Sequence, residues 1–148
     1  DFAGQTGPVL GAGNLSPTPD WMFTGFLTYD NGGFNATLSM RRINSGIYNI
    51  DRIGPDDPRY DPTLPDSIND NTVDGRTYFN LAMSYEIPLP GGSGDRSVEI
   101  FGSIENLFDT DPPVAPGGGG GGGSNYPTNP VFFDTFGSRF RAGVRVSY

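Results

Sequence analysis

From Phe140 to the end of the chain every second residue is apolar or small (Phe140, Ala142, Val144, Val146, Tyr148), and Arg139, Arg141, Gly143, Arg145 and Ser147 fall between them. A period of two predicts a β-strand with one greasy face and one polar face. The same period recurs upstream. Residues 21–29 put Trp21, Phe23, Leu27 and Tyr29 in one phase, imperfectly, because Met22 and Phe26 lie in the other. Residues 34–43 set Phe34, Ala36, Leu38 and Met40 against Asn35, Thr37, Ser39 and Arg41. Residues 77–87 set Phe79, Leu81, Met83, Tyr85 and Ile87 against Tyr78, Asn80, Ala82, Ser84 and Glu86. Residues 96–107 set Val98, Ile100, Gly102 and Ile104 against Glu99, Phe101, Ser103 and Glu105.

The connections between these five predicted strands alternate in length. Asp30-Asn31-Gly32-Gly33 is a tight-turn signal, because Asn and Gly tolerate positive φ. Pro88 to Asp95 is a second compact turn. The other segments are long: 1–20, rich in Gly and Pro; 44–76, broken by Pro55, Pro58, Pro62 and Pro65; and 108–136, with seven consecutive glycines from Gly117 to Gly123. Four prolines exclude a regular helix or a central strand through the middle of 44–76. Short turns at one end and long loops at the other are the habit of outer-membrane barrels. The predicted fold class is therefore all-β, with the antiparallel amphipathic strands of a transmembrane β-barrel; that they come from its C-terminal end is what the resemblance of the last residues, given below, implies. Strands of about ten residues suit a tilted crossing of the hydrocarbon layer. Five strands do not close a barrel, whose small limit is about eight. Unpaired edges make cross-β or filamentous self-assembly the alternative, with a soluble β-sandwich third.

Composition narrows the chemistry. The 9 basic residues, all arginine, face 17 acidic ones for a net charge of −8, and neither histidine nor cysteine occurs. An acidic chain with scattered arginines does not offer the concentrated positive surface that nucleic acid requires. Without His or Cys, a Ser/His/Asp arrangement, thiolate chemistry and the commonest zinc ligands are excluded. No catalytic residue, cofactor or metal ligand is predicted, and the chain is not expected to be an enzyme. Asp70 to Gly75 resembles the start of a calcium loop, but Thr72 takes the third position and Leu81 the place of the bidentate Glu, so a solvated acidic loop is expected. The glycine run lacks the Gly-Lys-Ser/Thr ending of a phosphate loop. Arg41, Arg139, Arg141 and Arg145 share polar strand faces with Glu86, Glu99 and Glu105, as in a hydrated lumen network. Tyr60, Tyr126, Phe132 and Phe133, in the predicted outer loops, are the aromatic candidates for facing a ligand.

Several motifs resemble one family in combination. The final eight residues, with Arg141, Gly143, Val144, Val146 and a terminal Tyr148, resemble the C-terminal assembly signal of bacterial outer-membrane barrels. Asn106-Leu107-Phe108-Asp109 resembles the NLFD motif that precedes the last strand of TonB-dependent outer-membrane receptors. The Trp21 strand, Val73-Asp74-Gly75 ahead of an aromatic strand, and Phe136-Gly137-Ser138-Arg139-Phe140, with Ser138 inserted in the family's pattern, agree with it. The resemblance spans most of residues 21–148. It implies a barrel of about 22 strands plugged by an N-terminal domain, of which residues 1–148 form the last quarter or so. Plug and TonB-contacting box are expected before residue 1; the opening Asp1-Phe2, with no initiator Met, is taken as part of something longer. The resemblance further implies an outer-membrane location, uptake of a siderophore, cobalamin or oligosaccharide, and as partners membrane lipid, the barrel-assembly machinery and TonB through that N-terminal region. The self-assembly alternative implies other copies of the chain as partners and an extracellular, released fragment.

Overall fold

The computed structural model describes residues 3–7, 18–90, 96–116 and 127–148. Among them the secondary structure is all strand: β1 (Met22–Asn31), β2 (Phe34–Ile43), β3 (Gly46–Ile47), β4 (Thr72–Val73), β5 (Arg76–Pro88), β6 (Ser97–Glu105) and β7 (Arg139–Ser147). Five of these form one sheet in the order β1-β2-β5-β6-β7, and β3 pairs with β4 in a second. The expected strands stand within a few residues of their predicted bounds. The two-residue pair β3–β4 was not anticipated. It runs antiparallel inside the segment taken as a loop, Gly46 opposite Val73 and Ile47 opposite Thr72.

β1 and β2 are joined by Gly32 and Gly33 at φ +56° and +92°, the positive-φ pair a tight hairpin needs. β5 runs antiparallel to β6 from Leu81↔Ile104 to Pro88↔Ser97. β6 runs antiparallel to β7 from Ser97↔Ser147 to Glu105↔Arg139. This register puts like on like. Ile87, Val98 and Val146 lie in one cross-strand row; Tyr85, Ile100 and Val144 lie in the next, and Leu81, Ile104 and Phe140 in another. The opposite face carries Glu86, Glu99 and Arg145 in one row and Ala82, Ser103 and Arg141 in another. Side-chain contacts extend the polar face across the remaining strands: Thr28 and Thr37 hydroxyls meet at 3.1 Å, and Asn80 donates to Ser39 at 3.3 Å. On the apolar face the Tyr29 and Phe34 rings lie 6.2 Å apart.

Contacts divide the chain into two compact units. One holds most of the sheet: Phe23–Arg41, Thr77–Thr110 and Phe136–Tyr148. Its apolar face is uncovered, with Leu27 70 %, Phe140 72 % and Val144 64 % exposed. A soluble sheet buries such a face; monomeric soluble proteins seldom show a contiguous apolar surface of this extent. The other unit gathers three stretches predicted as loops: Asp1–Met22, Arg42–Arg76 and Asp111–Thr135. It has a core of its own, in which Ile43, Val73, Ala115 and Phe133 are buried. Long-range bonds join the stretches. Ile50 N–H donates to Gln5 Oε1 (3.2 Å), Tyr48 Oη to the Pro116 carbonyl (2.5 Å) and Asn129 Nδ2 to the Gly7 carbonyl (3.0 Å).

Candidate functional site

At the end of β6 the chain leaves the sheet through Asn106-Leu107-Phe108-Asp109 and returns into β7 through Gly137-Ser138. Asn106 and Asp109 both adopt φ +51°, a conformation that Asn and Asp tolerate better than most residues. Asn106 is 1 % exposed, and each of its polar groups is used. Its N–H donates to Asn80 Oδ1 at 2.9 Å, its Oδ1 accepts from Thr110 N–H at 2.8 Å and its Nδ2 donates to the Thr110 carbonyl at 3.1 Å. Ser138 closes the clasp: its Oγ donates to the Asn106 carbonyl at 2.6 Å and its N–H to Asp109 Oδ1 at 2.9 Å. Phe108 packs edge-on against Phe79, ring centroids 5.3 Å apart. The four-residue motif is thus a structural clasp that fixes how β7 enters the sheet beside β6.

β7 carries the polar face. Glu105 holds two arginines, Arg139 Nη2 at 2.7 Å and Arg141 Nη2 at 3.1 Å, and Arg145 pairs with Glu99. Arg41 stacks over Tyr78 at 5.6 Å, and Arg145 over Phe101 at 5.6 Å. Arg139, Arg141 and Arg145 thus pair with Glu105 and Glu99 out of the set grouped from the sequence, and a third arginine–aromatic contact, Arg139 over Phe136 at 5.3 Å, joins the two above. Gly143 lies opposite Phe101, whose Cζ stands 2.5 Å from where a Cβ would be. The ring crosses β7 through the gap that only glycine leaves. Val144, Val146 and Tyr148 project from the other phase, Tyr148 fully exposed.

In the loop unit, the acidic segment is closed on itself. Asp57 takes Arg59 Nε at 3.0 Å and Nη2 at 2.7 Å, and these side-chain bonds hold its carboxyl at about 2 while raising the Arg59 guanidinium above its ordinary value. Asp61 accepts from the Thr63 N–H and hydroxyl, Asp70 from the Thr72 hydroxyl and N–H, and those bonds lower both carboxyls. Among the described residues no group of three acidic, His or Cys side chains is placed to hold a metal. The aromatic candidates do not converge. Tyr60 donates its hydroxyl to Asn69 Oδ1 at 2.9 Å. Phe133 is 2 % exposed and stacks edge-on with Phe132 at 6.4 Å. Phe133 therefore belongs to the core rather than to a ligand-facing surface; a loop with a core of its own buries its aromatics. Tyr126 and the glycine run lie outside the described residues. A hollow of about 450 Å³ opens beside β3 and β4, lined by residues between Gly46 and Thr72. It had no local signal in the sequence, because its walls come from chain turns rather than from a motif. Comparison with family models, with curated proteins and with solved structures returns no match to this chain.

Proposed function

We propose that this chain is the C-terminal barrel segment of a TonB-dependent outer-membrane receptor, serving the energised uptake of a scarce nutrient by the whole protein. The observation that carries the proposal is the two-faced sheet: one face apolar and exposed on β1, β5, β6 and β7 and half-buried on β2, the other carrying ion pairs between β6 and β7. Lipid suits the first and a hydrated lumen the second. Dimensions agree. The 13 residues of β5 extend about 40 Å at about 3.3 Å each; a tilt of about 40° reduces that to a rise of about 30 Å, the thickness of the hydrocarbon layer. Aromatics border the band, with Tyr29, Phe34 and Tyr85 toward the short turns and Phe23, Phe79 and Phe140 toward the long loops. In this proposal residues 30–33 and 88–95 face the periplasm, and membrane lipid, the assembly machinery and, through a preceding region, TonB are the partners. The motifs at 106–109 and 141–148 support the same family. Cell fractionation tests it: the parent protein is expected in the outer membrane as a heat-modifiable band. Recovery in a soluble fraction removes the proposal.

A second proposal draws on the sheet order. Among the described residues, the outer edges of β1 and β7 pair with no strand. Released from its parent, the chain would satisfy those edges by joining other copies in β-rich filaments. Sedimentation of purified residues 1–148 without detergent distinguishes the two: large assemblies support it, and a stable monomer removes it.

A further inference from the structure

The hollow beside β3 and β4 lies wholly within the loop unit and has walls that are already fixed. Asn71 spends its amide inside the wall, accepting from Asn49 N–H at 2.9 Å and donating to the Arg52 carbonyl at 2.9 Å. Arg59 is committed to Asp57 through both Nε and Nη2. Pro55 and Pro58, also in the lining, restrict the backbone between them. The hollow's volume of about 450 Å³ falls within the range of small-molecule sites, about 300–1,000 Å³.

Its lining states what would fill it. Ile47 and Ile50 are 38 % and 41 % exposed, an aliphatic surface that a ligand would cover. Among the described residues the Asp56 carboxylate makes no hydrogen bond or ion pair. Arg52 gives Nη1 to the Pro65 carbonyl at 2.6 Å and keeps Nε and Nη2 uncommitted. Among the described lining residues, the charged groups without a partner of opposite charge are therefore one acceptor-only anion, Asp56, and one donor-only cation, Arg52, beside an aliphatic floor. Among the described residues no aromatic ring lines the hollow, so they give a sugar no flat platform to stack on. The Arg59 guanidinium is paired with Asp57, so among the described lining residues a polyanion meets one cation without an acidic partner, Arg52.

We propose that this hollow is a binding site for a short zwitterionic peptide, its ammonium on Asp56, its carboxylate on Arg52 and an aliphatic side chain on Ile47 and Ile50. An extended dipeptide, at about 3.3–3.6 Å per residue, is short enough for both termini to be held within one such hollow. The proposal goes beyond the receptor assignment and does not rest on it, because the site is complete within the loop unit.

The test titrates leucyl-leucine into the full chain in detergent micelles, read by saturation-transfer NMR and calorimetry. Leucyl-leucine is expected to bind in the millimolar range or tighter, and N-acetyl-leucyl-leucine amide, with both charges blocked, about tenfold more weakly. Asp56→Asn should weaken the free dipeptide by about tenfold and leave the blocked one unchanged, while Asp111→Asn, outside the lining, changes neither. The proposal is overturned by absence of saturation transfer to the folded chain, or by equal binding of free and blocked dipeptide. Displacement of leucyl-leucine by sucrose or by inorganic phosphate also overturns it, pointing to a glycan or an anion site. Should Asp56→Asn lose its β-sheet circular dichroism, the comparison of free and blocked dipeptide on the unaltered chain decides alone. None of these outcomes bears on where the parent protein fractionates.

Discussion

Gly143→Ala isolates the closest contact in the sheet. A Cβ built at Gly143 lies 2.5, 3.0 and 3.1 Å from Cζ, Cε2 and Cε1 of Phe101. Carbon atoms rest at about 3.5–4.0 Å, so the ring must retreat by about 1 Å or turn aside. Phe101 is 38 % exposed, so its ring end can swing outward and the clash costs less than the about 1–3 kcal/mol of overpacking in a closed core. Turning aside also loosens the stacking of Arg145 on that ring, now at 5.6 Å, worth about 0.5–1 kcal/mol where exposed. Against this, alanine in a strand is favoured over glycine by about 0.5–1 kcal/mol. The net expectation is a loss of no more than about 1 kcal/mol, measured by urea unfolding of the chain in micelles. The decisive comparison is the same substitution in a Phe101→Leu background. There the obstructing ring is gone, and Gly143→Ala should become neutral or stabilising by about 0.5–1 kcal/mol. An equal loss in both backgrounds would refute the contact as the reason for glycine at this position.

Other outcomes follow from the same geometry. On the proposed outer-membrane assignment, Leu81→Arg, on the apolar face, should destabilise the inserted protein by about 2–4 kcal/mol, whereas Asn80→Arg, on the polar face, should not; heat-modifiability of equal size for both would mean the faces are misassigned. Asn106→Ala strands the groups it satisfies and should lower stability by about 1–3 kcal/mol in denaturant unfolding, with Ser138→Ala giving a smaller loss of the same sign. The Asp57 carboxyl is held at about 2, below its ordinary 3.8. Its pairing with Arg59 therefore favours the folded loop above about 3.8 and is lost as pH falls through that window toward about 2. Carboxyl NMR should follow this titration, and Arg59→Gln should return it toward the ordinary value. Deletion of Tyr148 should lower the amount of folded parent in the outer membrane, assayed by gel shift without heating.

The sheet was legible because strand periodicity is local. Phe34 to Met40 and Phe79 to Ile87 declare their faces two residues at a time, and burial or lipid contact then fixes the register. The motif 106–109 was visible as a pattern, but its reason was not. Asn106 matters through Asn80 and Thr110, and Ser138, which departs from the spacing of the receptors the motif resembles, turns out to bond both Asn106 and Asp109. The loop unit was not legible at all. Its core and hollow arise from contacts such as Gln5 with Ile50 and Tyr48 with Pro116, and no short-range period announces them. Phe133 was misjudged for that reason: its neighbours in sequence look like a surface loop, and its neighbours in space enclose it.

The bond from Asn129 to the Gly7 carbonyl joins residues 122 apart, and this has a bearing on the order of folding. Closing a loop of that length in an open chain costs more than closing the 22-residue span from Asn49 to Asn71, by about 1.5 kcal/mol on logarithmic scaling. The short Asp-Thr closures at 61–63 and 70–72 span two residues each and can form as soon as their segments exist. The contact order of the loop unit is therefore split. Its turns are early and cheap, whereas its core waits for the last fifth of the polypeptide.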